Sequence, residues 1–154
     1  MKTIKLTQNK YALVDNKDFK YLNQFRWHAH KDRTNYYAIR YISKNKRSRM
    51  HREIVGSIEK GKEVDHADGN GLNNQRKNLR VCSHLENMRN TKLSSRNTSG
   101  IKGVSWYQAN NKWRADASMD GKLIYLGSFK NIKDANNAYK KFTKKNYKQF
   151  VRMK

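Results

Sequence analysis

The sequence has no proline, a single cysteine and few acidic residues. One cysteine, Cys82, excludes an internal disulfide framework and fits a reducing compartment. No apolar run approaches the roughly 18 residues that a membrane span requires. The first residues, Met1 to Thr7, lack the apolar block of a secretory signal. These absences predict a cytoplasmic protein that does not enter a membrane.

Basic residues greatly outnumber acidic residues in the sequence. The 154 residues include 35 Lys and Arg but only 12 Asp and Glu, a formal net charge of +23. The aromatic fraction of 11% argues against disorder, since disordered chains are poor in aromatics. Charge of this size predicts a polyanionic partner, and nucleic acid is the first candidate because binding releases counterions from its phosphates. A membrane surface is a weaker candidate because no basic amphipathic helix is evident.

Polar residues without periodicity interrupt the chain between Lys92 and Gly100. Because there is no proline, the joints must come from Gly, Asn and Ser. We therefore predict a first domain over residues 1–92, a linker over 93–98 and a second domain over 99–154.

The second domain has the pattern of three short strands followed by one helix. Apolar residues alternate from 103 to 107, from 112 to 118 and from 123 to 126, and Asp120-Gly121 is typical of a hairpin turn. Helical spacing follows from Lys133 to about Tyr147, behind a candidate cap at Asn131. The pattern predicts a three-stranded antiparallel sheet that packs one face on the helix and leaves a basic, aromatic face to the solvent.

These residues resemble the APETALA-type (ethylene-response factor) DNA-binding domain, in order and spacing. The similar positions include Gly103-Val104, Lys112-Trp113 and Tyr125 to Phe129. That family reads DNA with its sheet, so the resemblance implies the same docking mode but not the same target sequence, because several arginines of the plant proteins are Ser, Tyr or Leu here. Together with the outward-facing Arg114, the implied DNA-binding residues are Lys102, Ser105, Tyr107, Lys112, Arg114, Ser118 and Tyr125.

The stretch from Glu63 to Asn90 contains the candidate for catalysis. A short strand ends at His66, a Gly/Asn-rich loop follows, a second strand covers Leu79 to Cys82, and a helix begins after Ser83 with Glu86 completing a capping box. This ββα order brings three polar residues together: His66, Asn78 and Asn87.

Such a set of residues suits phosphodiester hydrolysis. A neutral imidazole can act as general base on water, and a carboxylate with an amide oxygen can hold a divalent ion, Mg²⁺ or Mn²⁺. Four acidic residues within ten positions, Glu59, Glu63, Asp65 and Asp68, fit a metal-handling site or a surface that only balances charge. Asp65 and His66 would diverge in a regular strand, so we expect a local distortion there. Zinc is not expected, because Cys82 and His84 cannot furnish four ligands.

The signature Asp65-His-x-Asp-Gly-Asn-x-x-Asn-Asn74, then Asn78-Leu-Arg80 and Glu86-Asn-x-x-Asn90, closely resembles the HNH (ββα-metal) nuclease motif. The resemblance implies that His66 is the general base, that Asp65 and Asn87 are ligands of one divalent ion, and that Asn78 buttresses the loop and orients the histidine. The order of an HNH unit and an APETALA-type domain is similar to that of phage and bacterial homing endonucleases, which implies a bacterial or phage-infected host cytoplasm.

The N-terminal segment has the pattern of a sheet platform for the ββα unit. Strands are predicted at 4–6, 11–14, 26–30 and 36–43, and a helix at 17–25. Lys44 to Arg49 is predicted to be a basic turn that contacts phosphate. His51-Arg52 is predicted to open an apolar turn, with packing and phosphate contact as the role of the pair.

The sequence as a whole predicts an α+β protein with a small N-terminal sheet platform, a ββα-metal HNH unit and a three-stranded antiparallel sheet packed on one helix. We predict a metal-dependent, site-specific HNH homing endonuclease that nicks double-stranded DNA as a monomer. Two alternatives stay open: a transcription regulator whose HNH unit binds DNA without cutting it, and an RNA-binding protein.

Overall fold

The computed structural model describes residues 1–147 and Phe150. Contacts divide it into two compact units, Met1–His84 and a second unit that starts at Leu85. The described residues form helices and small antiparallel sheets, which confirms the predicted α+β fold. No helix in this described part is both long and apolar enough to cross a membrane.

The division between the units falls at the start of a helix, whereas the predicted domain limits are 1–92 and 99–154. Those limits stay predictions, and residue 154 lies outside the described residues. The predicted linker over 93–98 has local hydrogen bonds: the Asn97 side chain accepts from the Gly100 N–H at 2.7 Å and donates to the Ile101 carbonyl at 3.0 Å.

Besides the short 3-10 helix Arg76–Asn78, the first unit contains seven strands, two complete α-helices and the start of a third α-helix. In chain order they are β1 (Lys2–Lys5), β2 (Tyr11–Val14), α1 (Asn16–Leu22), β3 (His28–Asp32), β4 (Asn35–Ser43), β5 (Lys46–Arg49), α2 (Met50–Val55), β6 (Lys62–His66), β7 (Leu79–Ser83) and α3 (His84–Arg89). The strands pair antiparallel as β1-β2, β3-β4-β5 and β6-β7. The predicted N-terminal platform and the strand, loop, strand, helix order are therefore present.

One apolar core holds this platform together. Alternating residues of the β1-β2 hairpin are buried together with Trp27, which immediately precedes β3. These hairpin residues are Ile4, Ala12 and Val14. The Trp27 indole N–H donates to the Leu22 carbonyl at 2.8 Å, so the end of α1 satisfies the one polar atom that the ring buries.

Two local predictions in this unit are wrong. Lys46 to Arg49 is the strand β5 and not part of a turn, because pairing with β4 outweighs the weak strand preference of Lys, Arg and Ser. His51-Arg52 lies in the helix α2 and not in a turn, and Met50, His51 and Ile54 of that helix are buried.

The second unit contains β8 (Val104–Tyr107), β9 (Lys112–Met119), β10 (Lys122–Phe129) and α4 (Ile132–Asn146). The strands form one antiparallel sheet with β9 in the centre, and Val104, Ala115 and Ala117 share a buried cluster with Ala135 and Tyr139 of α4. The predicted three-stranded sheet packed on one helix is confirmed.

Turn chemistry explains the connections of this sheet. Asp120 and Gly121 both have positive φ, 51° and 78°, as a two-residue hairpin turn requires. Gly103 also has a positive φ of 72°, and a Cβ there would lie 2.1 Å from the Tyr139 ring. Asn131 takes the N-cap position of α4 but makes no side-chain capping bond.

Candidate active site

His66 and Asp65 end β6, which pairs with β7 in a regular register. Asp65 lies opposite Arg80 and His66 opposite Leu79, without a bulge, so the expected local distortion is not found in this ladder. Neighbouring strand residues point to opposite faces. Both side chains are nevertheless buried, at 7% and 4% exposure, and the Asp65 carboxylate accepts a hydrogen bond from the Arg80 guanidinium.

The loop between β6 and β7 is closed by its own side chains. The Asp68 carboxylate accepts from the Asn70 N–H at 2.8 Å and from the side-chain amides of Asn73 and Asn78 at 2.7 and 2.9 Å. Burial raises the pKa of Asp68, but these hydrogen bonds outweigh it and hold the pKa below its ordinary value. Asp68 is therefore an ionised anchor of the loop.

Asn78 supports the loop from its other end. Its side-chain oxygen accepts from the Asp68 N–H at 3.0 Å, and its amide donates to Asp68 and to the Asn73 carbonyl, the latter at 2.8 Å. Both the oxygen and the amide nitrogen of this buried side chain are thus engaged within the loop. This geometry agrees with a buttress, while any effect of Asn78 on His66 must pass through the loop.

The loop is also fixed to the platform. The Leu13 N–H donates to the Leu72 carbonyl and the Asn74 N–H to the Leu13 carbonyl, both at 2.8 Å. On the other side, the Asn35 side chain donates to the Gly69 carbonyl at 2.9 Å and accepts from the Gly71 N–H at 3.3 Å. The strand β2 and the start of β4 therefore clamp the loop from two directions.

This clamping sets the tautomer of His66. The Asn74 side chain donates through Nδ2 to the Leu72 carbonyl at 3.2 Å, which turns its Oδ1 toward His66 Nε2, 3.3 Å away. An amide oxygen only accepts, so Nε2 carries the hydrogen and a neutral His66 has its lone pair on Nδ1. Asn74 is fully buried.

Two further rings surround the His66 imidazole. The His51 ring lies edge-on with a centroid distance of 4.9 Å, and Tyr37 lies 5.9 Å from each histidine. Burial lowers the pKa of His66, against opposing effects of the Asn74 hydrogen bond and the nearby Asp65 and Asp68. Burial, and then the electrostatic effects of His66, Arg49 and Arg52, lower the pKa of His51 to about 3. Both rings are therefore neutral at pH 7.

Sequence reasoning did not assign Asn74, Tyr37 or His51 to this site. Asn74 was visible as part of the Asn-Asn pair in the signature, and His51 as part of the His-Arg pair before it. Nothing in the sequence pattern indicated that α2 and β4 would bring rings against His66, because those contacts join distant segments.

Asn87 lies in α3, and Asn90 directly follows the last residue of that helix. Both belong to the second unit. The Asn90 N–H donates to the Asn87 carbonyl at 3.0 Å, and Asn90 is buried. The roles predicted for Asp65 and Asn87 as metal ligands stay predictions.

The predicted donor set is compatible with a hard divalent ion. The described residues contain no group of three or more His, Cys, Asp or Glu that could hold a metal. Mg²⁺ needs no such group, because it keeps several waters and binds through one or two carboxylates. A carboxylate oxygen and an amide oxygen, the ligand types predicted from Asp65 and Asn87, suit Mg²⁺ or Mn²⁺ by their chemistry. That these two residues form one site stays a prediction.

The outward face of the second unit's sheet carries most of the predicted DNA-binding residues. Cross-strand pairs place Ser105 beside Arg114, Tyr107 beside Lys112, and Asp116 beside Tyr125. The same alternation places Ser118 on this face. Lys102 precedes β8, and its ammonium donates to the carbonyls of Arg89 and Thr91 at 2.8 and 3.0 Å.

Arg114 is held in place on this face. Its Nε donates to the Asp116 carboxylate at 2.9 Å, and its guanidinium lies 5.2 Å from the centre of the Tyr125 ring. Asp116, which sequence reasoning did not include, therefore orients the one arginine of the predicted set.

We expect Asn78→Ala to destabilise the first unit by about 3 kcal/mol, because it removes three hydrogen bonds of about 1 kcal/mol each. Lys77→Ala, which removes an exposed neighbour, should change stability by less than about 0.5 kcal/mol. Urea unfolding followed at backbone NMR signals of residues 1–84 measures both. Equal stability of the two variants would contradict the buttress role.

The two neutral histidines predict a loss of stability in weak acid. Unfolded His51 has an ordinary pKa of 6.5 and folded His51 one of about 3, so the unfolded state binds more protons between these values. The contribution is complete above pH 6.5 and declines as the pH falls toward 3, with a loss of about 2 kcal/mol at pH 5. His51→Leu should flatten the pH dependence of urea unfolding by about one proton, and an unchanged slope would contradict this environment.

Comparison with known proteins agrees with the motif. The family model of HNH endonucleases matches residues 50–89, from the start of α2 to the end of α3 and less than half of the chain. Protein 3.8 of Escherichia phage T7 is 45% identical over 67 residues, which are 44% of this chain and 55% of that protein. The chain therefore spans about half the length of this curated relative. No solved structure matches the chain. Residues 50–89, which contain His51, the loop and His66, are thus an HNH endonuclease segment.

Proposed function

We propose that this protein is a metal-dependent endonuclease that hydrolyses phosphodiester bonds in double-stranded DNA, with His66 as general base. The observation that carries the proposal is the buried imidazole whose Nε2 faces an amide oxygen, within a segment that matches HNH endonucleases. The net charge of +23 favours a nucleic acid as the substrate.

The reaction needs one proton acceptor near a water molecule. The lone pair on His66 Nδ1 takes a proton from the water, whose oxygen forms a bond to phosphorus, while the bond from phosphorus to the leaving oxygen breaks. The leaving oxygen then takes a proton from the solvent. Burial favours the neutral imidazole, so His66 is ready to accept a proton at pH 7.

Asp65 and Asn87 are the residues that would hold one Mg²⁺ or Mn²⁺. When bound, the ion would neutralise charge on the phosphate and on the leaving oxygen. The hydrogen bond from the Arg80 guanidinium orients the Asp65 carboxylate.

The second unit would supply most of the affinity for the duplex. We propose that its outward sheet face, which carries Arg114, Tyr125 and Lys112, docks on the duplex as the APETALA-type resemblance implies. Tethered next to a nuclease segment, such a face would make cleavage site-specific, as in homing endonucleases. Each chain has one predicted base and one predicted metal position, so it would cut one DNA strand in each encounter. We therefore propose that the protein nicks the duplex as a monomer.

A specific observation favours a second candidate, a DNA-binding regulator with a silenced nuclease segment. The Asp65 carboxylate is bonded to Arg80 and only 7% exposed, so a metal ion would have to share it with a guanidinium. Supercoiled plasmid incubated with the full chain and Mg²⁺, with and without chelator, separates the candidates: relaxed circles that chelator prevents support the nuclease.

We expect His66→Ala to slow cleavage about 10²–10⁴-fold while DNA affinity changes little, because a general base acts on water and contributes little binding energy. His84→Ala is the matched control, since it removes a surface imidazole that is 70% exposed and lies 3.0 Å from a Glu63 carboxylate oxygen. Single-turnover cleavage and equilibrium binding of the same duplex measure the two effects. Cleavage by His66→Ala at the rate of His84→Ala would refute the assignment of the base.

We expect Arg114→Ala to weaken binding to a pool of random duplexes and to reduce the salt slope of log K by about 0.9, the loss of one phosphate contact. Lys133→Ala on the exposed side of α4 removes the same charge away from the sheet face and should leave the slope unchanged. Fluorescence anisotropy at several salt concentrations measures both. Equal slopes for the two variants would contradict the predicted sheet docking.

A further inference from the structure

The sheet β3-β4-β5 in the first unit has one face in the core and one face outside it. Ala29 and Ala38 are buried in the apolar core, and Arg40 on the same face lies 3.9 Å from the Phe25 ring centre and 2.7 Å from a Glu53 oxygen. Ala29, Ala38 and Arg40 of this face are therefore engaged in contacts within the first unit.

The opposite face, called here the outer face, follows from the register of the pairs. His30 lies opposite Tyr37, His28 opposite Ile39, Ile39 also opposite Arg49, and Tyr41 opposite Arg47. Residues directly opposite each other share a face, as do alternate residues of one strand. The outer face consists of His28, His30, Tyr37, Ile39, Tyr41, Arg47 and Arg49. Ile39 in its middle is buried, at 3% exposure, and the exposed residues of this face are Tyr41 and Arg47 toward the hairpin.

One end of the outer face is the candidate active site. The Tyr37 ring lies 5.9 Å from both His66 and His51, and the Arg49 guanidinium lies 5.3 Å from the Tyr37 ring centre. Gly71 of the active-site loop packs directly on the Tyr37 ring, since a Cβ there would lie 2.5 Å from it. The face thus begins where the predicted base lies.

The other end is the exposed hairpin between β4 and β5. From Tyr37 to Tyr41 the strand rises about 14 Å, which corresponds to about four steps of 3.4 Å along one DNA strand. Tyr41 is 60% exposed and its ring packs 5.7 Å from that of His28. Arg47 and the tip residues Lys44 and Lys46 are exposed as well.

The charge of this hairpin is not balanced locally. No carboxylate occurs between Arg33 and Arg52 in the sequence. Among the residues that the structure describes, the ion pairs include Arg49 with Asp32 at 3.7 Å but none that involves Lys44, Lys46 or Arg47. Cationic side chains without acidic partners can bind DNA phosphates, and an exposed tyrosine beside them can contact the sugars. A two-stranded ribbon is also narrow enough to enter the major groove.

We propose that the outer face and the β4-β5 hairpin are a second DNA-binding surface, distinct from the sheet of the second unit. It binds the duplex backbone beside the scissile phosphate, with Arg47 and Lys46 on phosphates and Tyr41 packed on the sugars. Its position decides which phosphate reaches His66. This inference rests on the proposed function and names duplex DNA backbone as the ligand of this surface.

The test uses the full chain in the His66→Ala background, so that DNA is bound but not cut. The double variant Lys46→Ala/Arg47→Ala is compared with Lys20→Ala/Lys60→Ala, which removes the same charge from exposed positions on α1 and before β6. Binding of a pool of random duplexes, each about three helical turns long, is measured by anisotropy at several salt concentrations.

We expect the hairpin double variant to bind roughly tenfold more weakly, with a salt slope smaller by about 1.8 for two lost phosphate contacts. The control pair should keep the parental slope, and Lys46→Arg/Arg47→Lys should restore it. Tyr41→Ala should weaken binding without changing the slope, because it carries no charge. Unchanged NMR signals of the buried residues confirm that the exposed hairpin variants fold.

A hairpin variant with the slope of the control pair would overturn the inference, and so would stronger competition by duplex RNA than by duplex DNA. Cleavage in the His66 parent is scored separately. If the full chain shows metal-dependent cleavage but the hairpin variants bind DNA like the control pair, the proposed function stands and the second DNA-binding surface is wrong. A hairpin effect on binding without any cleavage would support the surface and sink the proposed function.

Discussion

The whole candidate site depends on how the Asp68 carboxylate closes the loop between β6 and β7. Three hydrogen bonds to this one carboxylate fold the loop so that Asn74 is buried with its oxygen toward His66. Without that closure the imidazole would have no fixed tautomer, and the lone pair needed for a general base would not be assigned to Nδ1. The orientation of His66 therefore follows from an Asx-rich loop and from its hydrogen bonds to β2 and β4.

The scarcity of carboxylates has a structural counterpart. Several of the acidic residues form ion pairs with arginines: Glu53 with Arg40, Asp18 with Arg76, and Asp116 with Arg114. Lysines and arginines at strand ends and tips are left to the solvent, so that each unit presents one sheet face of cationic and aromatic residues while its other face is packed. In both units, therefore, a small sheet has one face toward the core and cationic and aromatic residues on the other, which we propose as the DNA-binding face.

Much of the fold was predictable because local signals agreed with it. The Asp120-Gly121 turn, the alternation of β9 and the strand-loop-strand order around His66 each require only neighbouring residues. The features that the sequence did not predict depend on contacts between distant segments. β5 exists because β4 offers it a partner, and His51 contacts His66 because α2 packs beside β6. The loop contains several adjacent asparagines, and only the folded chain shows that Asn74, and not Asn78, bonds the histidine.

The most direct test of the proposed mechanism is the protonation state of His66 in the ¹⁵N-labelled full chain. A long-range ¹H–¹⁵N correlation at pH 7 distinguishes the two neutral tautomers from the imidazolium. We expect a neutral ring with the hydrogen on Nε2 and the lone pair on Nδ1, and a loss of this preference in Asn74→Ala. A hydrogen on Nδ1 alone, or an imidazolium at pH 7, would contradict the assignment of His66 as a general base set by Asn74.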